Sequence, residues 1–230
     1  MHRILILIVI AYSISFLSAT DSVAQRSEAG FGLGTLNYTG DLARTYNFLN
    51  SRPAGTVYYR NNISSVISAR VAGTFGKLGA SDQRPIDAFA TARDASFNIF
   101  LFETSAVFEY HFLDWRDFKR KLFFTPYLFA GFGIFGISGD IEKNAEYSNV
   151  QPAIPFGVGF KYNVNPKWYV SLEFGVRKTF FDYLDNISEG DQTIKNYQYG
   201  NRYSNDNYFF LGFSLTHTFY EIPCPKNPYK

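Results

Sequence analysis

Between Pro155 and Tyr183 the sequence alternates with period two through two consecutive runs, PFGVGFKYNVNPKWYVSLEFGVRKTFFDY. In the first, Phe156, Val158, Phe160 and Tyr162 share one face, and Gly157, Gly159 and Lys161 share the other. In the second, Trp168, Val170, Leu172, Phe174 and Val176 oppose Tyr169, Ser171, Glu173, Gly175 and Arg177. Period two is the strand period, because successive side chains point to opposite sides of the backbone. The short link around Asn163, Val164, Asn165 and Pro166 joins the runs as a hairpin. Length is what constrains the fold. Ordinary strands run about five or six residues, and these runs approach the ~9–11 that a tilted strand needs to cross a bilayer. One face is large and apolar; the other is glycine, hydroxyl and charge. The expectation is a transmembrane β-barrel with lipid on one side and a packed lumen on the other. A register that matches the faces sets Gly157 opposite Glu173 and Lys161 opposite Tyr169. Glu173 then has room to reach Lys161 or Arg177.

The rest of the chain repeats the pattern. A first strand from Glu28 sets Ala29, Phe31, Leu33 and Thr35 against Gly30, Gly32 and Gly34. A second, Pro53 to Arg60, turns Val57 and Tyr59 outward and Thr56, Tyr58 and Arg60 inward, and ends at an Asn61-Asn62 turn. A third places Ile67, Ala69, Val71 and Phe75 opposite Ser68, Arg70, Ala72 and Thr74. The fourth alternates Phe100, Phe102, Ala106, Phe108, Tyr110 and Phe112 with Glu103, Ser105, Val107, Glu109 and His111. The fifth alternates Leu128, Ala130, Phe132 and Ile134 with Tyr127, Phe129, Gly131, Gly133 and Phe135. The hairpin supplies the sixth and seventh. The eighth sets Phe209, Leu211, Phe213, Leu215 and Phe219 against Phe210, Gly212, Ser214, Thr216 and Thr218. The predicted class is all-β, an eight-stranded antiparallel up-and-down transmembrane β-barrel of the outer-membrane type. Its connections read alternately long and short. The long ones, Thr39–Ser51, Lys77–Ala95, Ile137–Val150 and Thr179–Asn205, are the expected extracellular loops, with both chain ends periplasmic. Tyr59, Tyr110, Phe112, Tyr162, Trp168 and Phe219 gather at the short-turn end, where an interfacial aromatic girdle belongs.

The mean hydropathy of −0.14 fits such a chain, because lipid-facing and lumen-facing residues cancel in any window. A net charge of +2 gives no field that would favour nucleic acid. At the N-terminus, His2 and Arg3, the apolar run Ile4–Leu17 and the small-x-small triplet Ser22-Val23-Ala24 read as a secretory signal. The expected domains are therefore residues 1–24 signal peptide, 25–220 barrel and 221–230 periplasmic tail. Cleavage after Ala19, or retention as an anchor, are the competing readings. The single cysteine, Cys224, cannot form a disulfide within the chain, so it is free or bonded to a partner.

Eight charges fall on the predicted lumen face: Arg60, Arg70, Lys161 and Arg177 against Glu28, Glu103, Glu109 and Glu173. An eight-stranded barrel has an interior that side chains fill, and a buried charge needs a partner. The balance points to a packed ionic network, with a gated proton or solute path as the alternative. His111 lies at the turn end of its strand and His217 at the rim, both away from the long loops, which argues against a lipid-modifying enzyme. Asp182, Asp185 and Asp191 have no calcium-loop or zinc spacing. Gly131-x-Gly133 and Gly157-x-Gly159 sit inside strands and not at a strand-to-helix turn, so they do not signal a nucleotide. No enzyme activity, metal or cofactor is expected.

The segments TPYLFAGFGIF (Thr125–Phe135), IPFGVGFKYNVNPKWYVSLEFGVRKTFFDYLDNIS (Ile154–Ser188) and the ending with Cys224-Pro225 resemble a family of outer-membrane barrels. It is the PorG-like family, associated with the type IX (Por) secretion system. The resemblance implies an outer-membrane component that contacts a periplasmic ring of PorK/PorN-like proteins, with no catalytic residues to carry over. Cys224 and the charged turn residues Asp114, Arg116 and Lys119 are then the candidate contacts. The competing reading is a stand-alone surface barrel of the OmpA/OmpW kind, whose loops, above all Thr179–Asn205, bind a ligand or partner.

Overall fold

A sheet that faces hydrocarbon can leave no backbone N–H or C=O at an open edge, and closing it into a cylinder satisfies them all. The computed structural model closes in this way. It describes residues 26–40, 43, 46–81, 96–113, 123–138, 148–165, 167–180, 184 and 206–220. Eight antiparallel strands follow one another around the barrel: β1 Arg26–Thr39, β2 Arg52–Asn62, β3 Ile67–Ser81, β4 Ser96–His111, β5 Phe124–Ser138, β6 Val150–Asn165, β7 Trp168–Thr179 and β8 Asn207–Tyr220. β1 pairs with β8 to complete the cylinder. The predicted signal peptide, the tail with Cys224, and Asp114, Arg116 and Lys119 lie outside the described residues, as do Asp182, Asp185 and Asp191.

Glycines on the lumen face have a packing cause. A Cβ on Gly30 would strike the Tyr58 ring at 2.5 Å, and one on Gly159 would strike the Tyr127 ring at 2.2 Å. The Phe129 ring covers Gly157 and Gly175 together, 2.8 Å from the Cβ position of each. Large side chains on one strand thus fill the lumen by lying over glycines of its neighbours.

Three expectations need correction. First, Gly157 faces Gly175, Gly159 faces Glu173 and Lys161 faces Ser171. Glu173 is therefore displaced by two residues from the expected register. β6 runs on to Asn165, with a register shift between Asn163 and Asn165. The Asn165 carboxamide closes the turn by accepting from Lys167 N at 3.0 Å and Trp168 N at 2.9 Å. A slip of two keeps every side chain on its face, which is why alternation alone does not reveal it. Second, Asn61-Asn62 belongs to β2, and the turn lies at 63–66, where Ser64 Oγ accepts from Ile67 N at 3.0 Å. Third, Lys77–Ser81 and Ile137–Ser138 are strand, not loop. With those ends moved, the connection 112–123 is no shorter than 139–149, so the alternation of long and short connections is not strict.

The strand extensions carry information. Near the short turns the outward side chains are apolar: Phe31, Val57, Val71, Phe108, Leu128, Val158, Leu172 and Phe213 are all exposed. Toward the long loops the pattern reverses on β1, β3, β4, β5, β7 and β8. Asn37, Lys77, Asn98, Ser138, Lys178 and Asn207 take the outward positions, while Leu36, Leu78, Ile99, Phe135 and Tyr208 point inward and are buried. A wall that is apolar outside suits hydrocarbon; one that is polar outside with an apolar interior suits water. One continuous barrel contains both.

Candidate functional site: the charge network and its apolar seal

The eight lumen charges come from six strands, and none is more than 6% exposed. Glu109 on β4 is the hub. Arg60 of β2 grips it with both ends of the guanidinium, Nε to Oε2 at 2.9 Å and Nη2 to Oε1 at 3.0 Å. Arg70 Nε lies 2.8 Å from Oε1, and Lys161 Nζ 2.8 Å from Oε2. Arg60 continues to Glu28 at 2.9 Å. Glu28 also accepts from Asn62 Nδ2 at 2.5 Å and from the Tyr169 hydroxyl. Arg70 continues to Glu173 at 2.7 Å, where Tyr127 OH donates at 3.1 Å. Arg177 Nη2 stands 4.0 Å from Glu173, and its Nε lies 3.2 Å from Glu103. Tyr208 OH donates to Glu103 at 2.7 Å.

The seven residues singled out from the sequence, Arg60, Arg70, Glu103, Glu109, Lys161, Glu173 and Arg177, therefore join with Glu28 in one connected system. The pairing differs from expectation at one point. Lys161 binds Glu109 and Glu173 binds Arg70, although the observed register sets Glu173 two positions, and not four, from the residue opposite Lys161; Arg177, the other expected partner of Glu173, stands 4.0 Å from it. Removing a charge from water costs several kcal/mol, recovered only with good geometry and further hydrogen bonds. The tyrosines supply those bonds. They also supply ring faces: Arg60 and Arg70 lie over Tyr58 at 5.0 and 5.3 Å, and Lys161 lies over Tyr127 at 4.7 Å. Sequence reading placed Tyr58, Tyr127 and Tyr169 on the inward face without assigning them this role, and it missed Tyr208. Their inward phase beside inward charges was the available signal.

His111 is fully buried among polar groups. Its Nε2 lies 3.2 Å from Ser68 Oγ, 3.3 Å from Lys161 Nζ and 3.5 Å from Glu109 Oε2. A catalytic relay addresses a histidine through both ring nitrogens, the nucleophile at one and the carboxylate at the other. Here Ser68 and Glu109 approach the same nitrogen, so the set is not arranged as a relay. His217 instead packs at the outer rim, edge-on to Trp168 at 4.7 Å and to Phe219 at 4.8 Å. Among the described residues no His, Cys, Asp and Glu cluster has metal-site geometry.

Beyond the network, toward the long loops, the lumen changes character. Leu36, Tyr38, Leu78, Leu101, Phe135 and Tyr208 form an apolar core with no exposed surface. Ala43 and Leu184, from two different connections, enter the same core. Asp206 ties them in: Tyr38 OH donates to its Oδ1 at 2.6 Å, and the Leu184 backbone N–H donates to Oδ2 at 2.9 Å. The sequence reading assigned Leu78, Ile137 and Leu184 to loops and did not anticipate this seal. Among the described residues, a buried charge network on one side and an apolar core on the other fill the lumen. Purified protein in planar bilayers is expected to give no sustained ohmic conductance; a stable open level would contradict this reading of the lumen.

The model of a family described as a domain of unknown function (DUF6089) matches residues 3–227. No curated protein matches the sequence. Among solved structures, Neisserial surface protein A (NspA) is similar over 87% of this chain and 100% of its own, with 12% identity and a TM-score of 0.53. Ail, the attachment invasion locus protein of Yersinia pestis, aligns over 86% of this chain and 100% of its own at 9% identity, with a TM-score of 0.48. Outer Membrane Protein W of E. coli aligns over 86% of this chain and 100% of its own at 14% identity, with a TM-score of 0.43. At such identities the likeness is one of fold, the small outer-membrane-type barrel.

Proposed function

We propose that this chain, which belongs to the DUF6089 family, is a non-conducting, non-enzymatic scaffold barrel of the outer membrane. In this role it anchors a periplasmic assembly of the type IX secretion machinery. The observation that carries the scaffold reading is the filled lumen. All eight inward charges are spent on one another, and the far end is closed by side chains and by Leu184. A barrel with no path through it acts through its two ends. The choice of the periplasmic end rests on the resemblance of Thr125–Phe135 and Ile154–Ser188 to PorG-like barrels, whose implied partners are ring proteins of the PorK/PorN kind. Both chain ends of an even-stranded barrel lie on that side, which gives Cys224 and the turn carrying Asp114, Arg116 and Lys119 a partner to meet.

Affinity purification of the intact protein in mild detergent tests this directly. A periplasmic ring is expected to co-purify, and loss of the chain is expected to block export of secreted cargo while the envelope stays intact. Normal secretion without the chain would remove the secretion role. A second reading is a surface barrel whose loops bind an external ligand. It is favoured by the Asp206–Tyr38–Leu184 contacts, which hold the start and end of the longest loop on a rigid rim. Under that reading no ring co-purifies, and trimming residues 185–205 abolishes surface binding.

A further inference from the structure

The connection from β1 to β2 does not stand above the rim. It crosses back over the outside of the barrel. Tyr46 meets Phe209 of β8 edge-on at 5.4 Å and Phe174 of β7 at 5.9 Å. Those two rings stack on each other at 5.8 Å and belong to the outward apolar band. They lie below the Lys178–Asn207 pair, where the wall becomes polar. The connection therefore dips past the polar level into the apolar one. Asn37 confirms the path: its position faces outward, yet it is only 1% exposed, because the connection covers it. Its Nδ2 donates to Asn47 O at 2.6 Å and to Ser51 Oγ at 3.1 Å.

Directly after Tyr46 and Asn47 the chain forms a 3-10 turn, Phe48–Asn50, and the turn satisfies much of its own backbone. Asn50 N donates to Asn47 O at 3.0 Å, Ser51 N to Phe48 O at 3.1 Å, and Leu49 N to Asn47 Oδ1 at 3.0 Å. Self-satisfaction is what a segment needs where water is scarce. The side chains it presents are Phe48 and Leu49, 72% and 68% exposed. In water, two large apolar side chains on a turn tip would be costly to expose. The Tyr46 ring ties the turn to the wall: it meets Phe48 edge-on at 5.1 Å, and its hydroxyl is buried.

We propose that Phe48 and Leu49 form an outer-leaflet anchor, a wedge inserted among lipid acyl chains beside β7 and β8, with Tyr46 packed behind it on Phe174 and Phe209. The occupant is lipid, because the wedge continues the lipid-facing band without a break. The inference rests on that band and not on the secretion role, so the two fail separately. The anchor clamps the first loop against the wall and fixes the depth of the barrel on one side.

The test uses the full chain with Cys224→Ser, so that a nitroxide can be placed at one introduced cysteine. Leu49→Cys and Phe48→Cys are each reconstituted in phosphatidylcholine–phosphatidylglycerol vesicles. Collision with oxygen and with a water-soluble nickel chelate is measured for each. Phe132→Cys, 74% exposed on the apolar band, marks lipid; Asn98→Cys, exposed on the polar rim, marks water. Labels at positions 48 and 49 are expected to match the lipid marker, with nickel accessibility several-fold below that of the Asn98 label. Nickel accessibility equal to that of the Asn98 label, as for a solvated turn, would overturn the anchor, and so would oxygen accessibility well below that of the Phe132 label, as for a turn covered by another part of the protein.

Discussion

Glu109→Leu is expected to destabilise the folded barrel by about 3–5 kcal/mol, the usual range when one partner of a buried ion pair is removed. The substitution leaves Arg60, Arg70 and Lys161 converging on an apolar side chain, and all three are buried. Arg60 retains Glu28 and Arg70 retains Glu173, but Lys161 loses its carboxylate acceptor at 2.8 Å. Urea unfolding in detergent micelles, followed by tryptophan fluorescence, measures the loss. A cost below about 1 kcal/mol, the level of a surface ion pair, would mean that water enters the lumen and screens the network. The Glu103–Arg177 pair provides the contrast. Arg177→Met alone strands Glu103, whereas Glu103→Leu with Arg177→Met removes both charges. The double variant is expected to recover most of the stability lost by the single one, because replacing a whole buried pair with apolar groups is often close to neutral.

Gly157→Ala is the second large effect, although it adds only a methyl group. The new Cβ would lie 2.2 Å from Phe174 O and 2.7 Å from Gly175 Cα, both backbone atoms of the paired strand. A flexible side chain could swing aside; a strand held on both edges by hydrogen bonds cannot. Overpacking of this kind costs about 1–3 kcal/mol, and more where backbone must shift. Gly73→Ala is the control. Its nearest neighbour would be Val57 Cγ2 at 3.7 Å, an ordinary contact, so the same unfolding measurement is expected to show a change within about 0.5 kcal/mol. Equal costs at the two positions would mean that strand propensity, and not lumen crowding, sets the price of losing a glycine.

On the scaffold reading, the network is not a path for protons or ions. A proton or ion path needs groups that can exchange partners with water. Here each carboxylate is engaged by at least one cation and, except at Glu109, by a tyrosine hydroxyl. Tyrosine suits this place because its ring fills the lumen while its hydroxyl satisfies a charge. On the scaffold reading, these contacts make the barrel a rigid support whose partners meet the surfaces above and below it.

The class of fold, the number of strands and the faces of the eight lumen charges were legible in the residues alone. The reason is that period two is local. Phe156 and Gly157 point apart whatever lies across the sheet, and a bilayer punishes any charge on the wrong face. The sequence therefore also determined that Arg60, Arg70, Lys161 and Arg177 share the interior with Glu28, Glu103, Glu109 and Glu173. The tertiary structure alone decided who pairs with whom. A register two residues from the expected one leaves the faces unchanged but sets Glu173 opposite Gly159 and not Gly157, and closure of the barrel brings Arg70 of β3 to it at 2.7 Å, beside Arg177 at 4.0 Å. The outer third was hidden for a related reason. Where Leu78, Ile99 and Phe135 turn inward and Lys77, Asn98 and Ser138 turn outward, the alternation persists with its polarity reversed, so a search for apolar-out strands reads it as loop. Closure of the barrel gathers those side chains into one dry core. It also sets Tyr46 against Phe174 and Phe209 on the outer wall, a contact that no pattern in residues 40–51 records.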